Sequence, residues 1–436
     1  MELYLDRIER IDGELNAYVT VDAERALAQA REPRPGPFSG VPLPIKDLTE
    51  TAGLKTTFSS WAFAGYVPDR DTAVVRRIRD AGFVVLGKTN TPEFGSTCVT
   101  ESELNGVCRN PWDTSRTPGG SSGGAAAAVA AGLAPAAHGS DGGGSIRIPA
   151  ACCGLYGLKP ARGRVSAAPY GDVLAGLATS GPITRTVEDA AALLDVMAGY
   201  EPGDPYWAPP PERPFADEVG AAPGRLRVAL ALTPPVDVPL DAEYVAAARD
   251  AASLLEELGH DVREASPPWR ADDLVDSFTR VWQVGPALFG VENPELVEPM
   301  NWALAEAARS TPAPDYALAV ARLQAYARQV VSFWAGVDVV LTPALAQLPV
   351  PVGWIFEPDD PWEQFNRGYE FTPFTPIVNA TGLPACSVPF AWSEGGLPIG
   401  VQLIGPPADE PVLFRLSAQL EQARPWRDRR PAVGAG

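Results

Sequence analysis

The chain has 436 residues, 46% of them hydrophobic, enough for a large core. Its formal net charge of -19 would be repelled by duplex nucleic acid and by anionic membranes, so neither is expected as a partner. Five cysteines (Cys98, Cys108, Cys152, Cys153 and Cys386) form neither a disulfide framework nor a zinc pattern. A reducing, cytoplasmic setting without metal or cofactor fits them, and neither a signal-peptide core nor an apolar run of membrane-spanning length occurs.

Residues 1–31 read as helix, because Leu5, Ile8, Ile11 and Leu15 recur at helical spacing among charged residues. A Pro- and Gly-rich run at 32–42 ends it. Residues 71–81 predict an amphipathic helix, 83–86 a short buried strand, and 125–131 an Ala-rich helix that follows a Gly/Ser loop. Another helix is expected over 187–197, with Ala190, Leu193, Leu194 and Met197 on one face. Prolines crowd 202–216 as a surface connector. Beyond it, 225–232 reads as a strand, 241–259 as a helix stopped by Gly259, and 337–341 and 398–403 as later strands. Six of the eleven tryptophans (Trp269, Trp282, Trp302, Trp334, Trp354 and Trp362) fall in 267–370, where one or two are expected to line a pocket. The alternation of helices and strands predicts a layered α/β fold whose sheet is largely covered, with strands on both sides of the connector free to join one sheet.

The densest chemical signal lies between residues 117 and 149. Gly119-Gly120-Ser121-Ser122-Gly123-Gly124 and Gly142-Gly143-Gly144-Ser145 flank the Ala-rich helix. Ordering such glycine runs is costly in backbone entropy, which makes sense where bare N–H groups must approach an anion or a developing oxyanion. Two literal motifs fail on context. Gly82 to Thr89 spells a phosphate-binding loop, but its variable positions look like the strand itself. Gly119 to Gly123 spells a nucleophile elbow, which needs a downstream histidine base. Only His138 and His260 exist: His138 reads as a packed neighbour and His260 as part of a plain helix-to-strand connection. A serine activated by a buried, neutral lysine is the remaining chemistry. Lys46, Lys88 and Lys159 all have apolar neighbours, and this reading leaves the choice among them open.

The segment 119–150 resembles the signature of the amidase signature family of serine hydrolases, with the doubled serine, the spacing to Ser145 and Ser145-Ile-Arg147-x-Pro149 in place. Further likeness covers 40–47, 86–90, 110–111, 153–160 and 374–405, and it is weakest over 200–340. The resemblance implies the amidase signature fold, a central twisted mixed sheet covered by helices on both faces. It implies one domain over 1–436, with a catalytic core of about 36–200, a variable specificity region of about 200–370 and a C-terminal segment, 371–420, that completes the sheet. It further implies an amide-bond hydrolase acting by acyl transfer: Ser145 as nucleophile, Ser121 on a cis peptide as proton bridge, and Lys46 as base. The oxyanion hole would use N–H groups of Gly142, Gly143 and Gly144, together with that of Ser145, and Ser122, Asp141 and Arg147 would buttress the loop. Ser96 and Thr97 are pocket candidates, while Cys386 is expected in the core. The partner is a small-molecule amide, near the cyclic-oligoamide, aryl acylamide or carbamate (urethane) and ester substrates of such enzymes. A glutaminase subunit of a tRNA-dependent amidotransferase is the alternative in a second class. Oligomeric state stays open, dimers being common in the family.

Overall fold

The first helix ends sooner than its periodicity predicts. In the computed structural model, which describes residues 1–172 and 174–434, helix Glu2–Leu15 stops at Asn16, whose backbone is left-handed (φ 53°, ψ 45°) and whose N–H donates to Asp12 O. Asparagine tolerates that conformation better than most residues. The β-prone run Tyr18–Val21 then forms an edge strand, and helix resumes over Ala23–Arg31, capped by the Asp22 carboxylate accepting from Arg25 N–H. The single helix expected over 1–31 is therefore two helices and a strand, because apolar spacing is blind to a left-handed stop.

Elsewhere the expected elements stand, most with shifted ends. The amphipathic helix is Ala73–Asp80 and the Ala-rich helix Gly123–Ala130. Helix Val187–Met197 is capped by Thr186, and helix Ala242–Glu257 is capped by Asp241 and followed by Gly259 at φ 96°. The strand expected at 83–86 runs over Val84–Thr89 and so contains Gly87, Lys88 and Thr89, which removes the phosphate-loop reading. Gly87 serves close packing instead: a Cβ there would lie 2.1 Å from Thr20 O on the neighbouring strand.

Among the described residues, eleven strands form one mixed sheet. From edge to edge they are Tyr18–Val21, Val84–Thr89, Pro42–Lys46, Ala136–Asp141, Thr179–Thr184, Tyr156–Lys159, Ala385–Trp392, Pro398–Ile404, Val339–Pro343, Arg227–Leu230 and Asp261–Glu264. The proline-rich connector thus joins parts of one sheet. Alternate residues of single strands enter different apolar clusters: Val228 and Leu230 go to one, Ala229 to another. Both faces are therefore covered, here by helices that include Ala242–Glu257 and Leu274–Trp282. Trp269 and Trp334 belong to this packing, and Cys386 is a core residue with Sγ 3.5 Å from Ser417 Oγ. All five cysteines are free and buried. No helix among the described residues is long and apolar enough to cross a membrane.

Pro42–Lys46 and Ala136–Asp141 run parallel, with Ile45 opposite His138. Their C-terminal residues, Lys46 and Asp141, consequently emerge at the same end of the sheet, where α/β sheets present their ligand sites. The chain turns back there through the Gly142–Ser145 loop into helix Arg147–Cys153.

Candidate active site

Lys46, the last residue of its strand, is fully buried. Its Nζ donates to Ser121 Oγ at 2.7 Å, to Ser140 Oγ at 3.1 Å and to Ser140 O at 3.3 Å. Burial pushes the Lys46 ammonium down to about 7, against the upward pull of the Asp141 charge. The other two buried lysines are engaged elsewhere. Lys88 donates to Thr49 O and Thr56 Oγ1 and pairs with Asp47 at 3.7 Å, while Lys159 donates to Pro160 O. Of the three, Lys46 is the one that reaches a serine hydroxyl of the glycine loops.

The Gly120–Ser121 peptide is cis, as the resemblance implies for the bridging serine. A Cβ at Gly120 would lie 2.4 Å from Val99 O, so glycine is needed for the loop to seat. Ser122 N–H donates to Ser145 O at 3.1 Å, and Ser122 Oγ donates to Ser140 O at 3.1 Å. The first of these bonds ties the two serine loops together. Ser145 itself is 6% exposed and opens into a pocket.

Asp141 organises the loop that carries it. Its carboxylate accepts from the N–H groups of Gly144 at 2.8 Å and Ile146 at 3.1 Å, and from both Nε and Nη2 of Arg147 at 3.0 and 2.8 Å. Burial alone would raise the Asp141 carboxyl; the Arg147 guanidinium and the Asn379 amide outweigh it and hold the group well below the usual carboxylate range. Arg147 also donates to Gln402 Oε1 and Asn379 Oδ1, and Asn379 Nδ2 returns to Asp141 and to Leu177 O. Asn379 and Gln402 were missed as site residues, although both lie in segments that carry the resemblance. Thr375, which the sequence did not flag, donates from Oγ1 to Gly143 O at 2.8 Å and sets the orientation of that peptide.

Of the three glycines expected to offer free N–H groups, one has its N–H occupied. Gly144 N–H is committed to Asp141, and its φ of 129° serves a close approach in which a Cβ would meet Thr375 Oγ1 at 2.2 Å. Among the described residues, the N–H groups of Gly142, Gly143 and Ser145 have no acceptor. Gly144 is thus a spacer whose N–H is occupied, and three donors remain beside it.

The pocket over Ser145 has a volume of about 60 Å³ and is lined by Ser96, Thr97 and Gly143 and by Phe278 and Trp282 among others. Both pocket candidates named from sequence are in its wall. Trp282 is the member of the Trp-rich stretch that reaches it, whereas Phe278, Phe365 and Tyr369 carried no sequence signal. His138 is buried on its strand, 3.1 Å from Ser180 Oγ, and burial with the nearby lysine charges holds its imidazole down to about 3. His260 accepts from Leu226 N–H far along the sheet. Among the described residues no cluster of three or more His, Cys, Asp or Glu is arranged to hold a metal.

A family model described as amidase matches residues 1–414. A 6-aminohexanoate-cyclic-dimer hydrolase of Paenarthrobacter ureafaciens is 40% identical, over 99% of this chain and 92% of its own length. A solved structure of 6-aminohexanoate cyclic dimer hydrolase superposes with a TM-score of 0.95 at 38% identity, covering 99% of this chain and 94% of the other. A bacterial aryl acylamidase of the amidase signature family superposes at 0.86 with 27% identity, covering 98% and 92%. This chain belongs to the amidase signature family and is an amide hydrolase.

Proposed function

We propose that the chain cleaves amides through an acyl-enzyme on Ser145, with Ser121 relaying a proton to neutral Lys46. The 2.7 Å contact between fully buried Lys46 Nζ and Ser121 Oγ carries this reading. In the neutral amine that contact reverses and the Ser121 hydroxyl donates to Nζ. Ser121 then accepts the Ser145 proton while Ser145 Oγ attacks the carbonyl carbon, and Lys46 ends the step as an ammonium. The oxyanion falls to the N–H groups of Gly142, Gly143 and Ser145, at roughly 3 kcal/mol per donor. Collapse of the intermediate breaks the C–N bond, and the proton returns by the same route to the leaving amine. Water, deprotonated by the same pair, then hydrolyses the ester to release the acid.

A fluorophosphonate probe should label Ser145, and peptide mapping locates the adduct. The likeness to a cyclic-dimer hydrolase puts cyclic and linear aliphatic amides first among substrates to try. Ser145→Ala should lower kcat at least about a thousand-fold and abolish labelling, and Lys46→Ala should approach that loss. Retention of activity by either variant sinks the assignment.

A further inference from the structure

The walls of the pocket come from two helices outside the glycine loops. Phe278 and Trp282 lie four residues apart on Leu274–Trp282 and stack at 5.6 Å with an 18° interplanar angle. Phe365 and Tyr369 lie four apart on Pro361–Phe371 and meet edge to face at 6.0 Å. No Asp, Glu, Lys or Arg is among the described residues that line the space.

The hydroxyls there are mostly spoken for. Thr97 Oγ1 donates to Val99 O at 3.0 Å and Thr372 Oγ1 to Gly368 O at 2.9 Å, while Tyr369 OH shares a 3.2 Å contact with Thr279 Oγ1. Among the lining hydroxyls of the described residues, those of Ser96 and Ser145 are without an internal partner.

Trp282 does more than fill space. Its Nε1 donates to Ser96 O at 3.3 Å, and its six-membered ring lies 3.2 Å from where a Gly142 Cβ would be and 3.4 Å from that of Gly143. The ring therefore packs on the two glycines whose N–H groups are unpaired, so pressure from a bound group on Trp282 reaches the loop that performs the chemistry.

Building on the reading of Ser145 as nucleophile, we infer that the site is restricted to uncharged amides with a flat or unbranched apolar group, with Ser96 as the side chain that hydrogen-bonds the substrate. Phe278, Trp282, Phe365 and Tyr369 determine that specificity. A charged group entering this space surrenders its hydration and finds no countercharge; beyond the Ser96 hydroxyl, the free dipoles are the Gly143 and Ser145 N–H groups and the Ser145 hydroxyl, which the reacting carbonyl itself engages. Glutamine, with its α-ammonium and α-carboxylate, is excluded on this ground, as are acyl chains ending in a carboxylate or an ammonium.

The test compares matched acyl groups at one pH: hexanamide and benzamide against adipamic acid, 6-aminohexanamide and glutamine. The uncharged members should exceed the charged ones in kcat/KM by at least about thirty-fold. A smaller preference, or no turnover of either uncharged amide, overturns the inference. Phe365→Ala should raise KM for hexanamide with kcat nearly unchanged, whereas Trp282→Ala should lower kcat as well, because it alone of the two touches the Gly142–Gly143 loop. Identical kcat and KM for both variants and the wild type would remove these residues from the specificity wall. Failure of the nucleophile reading looks different: Ser145→Ala then keeps its turnover, and the charge preference is still measured.

Discussion

Around Asp141 every polar partner is matched, while around Trp282 few hydrogen bonds hold the side chains. Asp141, Arg147, Asn379 and Gln402 are each at most 1% exposed and form a closed network across the sheet end. The pocket wall, by contrast, is made of aromatic faces in contact with one another. The two regions respond differently to change. A buried charge that loses its partner has nothing to replace it, whereas an aromatic wall that loses volume reshapes a cavity. Fixed chemistry can sit on the first while substrate choice is varied on the second.

Three experiments press on that contrast. The largest effect is expected from Asp141→Asn, which leaves the Arg147 charge buried without its carboxylate and turns one acceptor oxygen into a donor facing N–H groups; stability should fall by about 3–5 kcal/mol in urea denaturation, with turnover lost. A loss below about 1 kcal/mol would mean that the network adjusts as readily as the wall. The next tests the base. With the Lys46 ammonium lowered to about 7 by burial, kcat/KM should rise roughly ten-fold per pH unit below that value and level off above it. A limb centred near the ordinary lysine value would show that Lys46 is not the titrating group.

The smallest effect lies behind the pocket wall, away from the Asp141 network. Glu298 caps the start of helix Pro299–Ser310, and its N–H donates to Glu93 Oε2 at 2.9 Å just before the pocket residue Ser96. Burial and the Glu93 charge raise the Glu298 carboxyl from the ordinary glutamate range to about 8. Between those values the folded chain keeps a proton that the unfolded chain has lost, so this group's contribution to stability falls as pH rises. Glu298→Gln keeps an oxygen to accept from Glu103 N–H and removes that fall. It should match the wild type near pH 5 and exceed it by on the order of 1–2 kcal/mol near pH 8. An equal difference at both pH values rules out the titration.

Much of this was legible in order along the chain. The helix over 187–197 emerged with the expected ends, because period and cap agree at Thr186. The helix read over 1–31 broke, because a left-handed residue at Asn16 leaves no trace in apolar spacing. The serine loops stood out by glycine density, and Ser96 and Thr97 by resemblance. Phe278, Trp282, Phe365 and Tyr369 did not, since large aromatics at helical spacing look the same whether they face a core or a cavity.

The sequence by itself determined the two glycine–serine loops, the shortage of histidine and the three candidate lysines, because those are matters of residue type and short spacing. Tertiary structure alone decided the rest. The parallel pairing of Ile45 with His138 brings Lys46 beside Ser140 and within 2.7 Å of Ser121, while Lys88 and Lys159 are spent on other oxygens. It also decided that Gly144 N–H belongs to Asp141 and that Trp282, far along the chain, rests on Gly142 and Gly143. Hydrogen bonds and ring contacts act over a few ångströms of space, and only the folded sheet converts distant residue numbers into such distances.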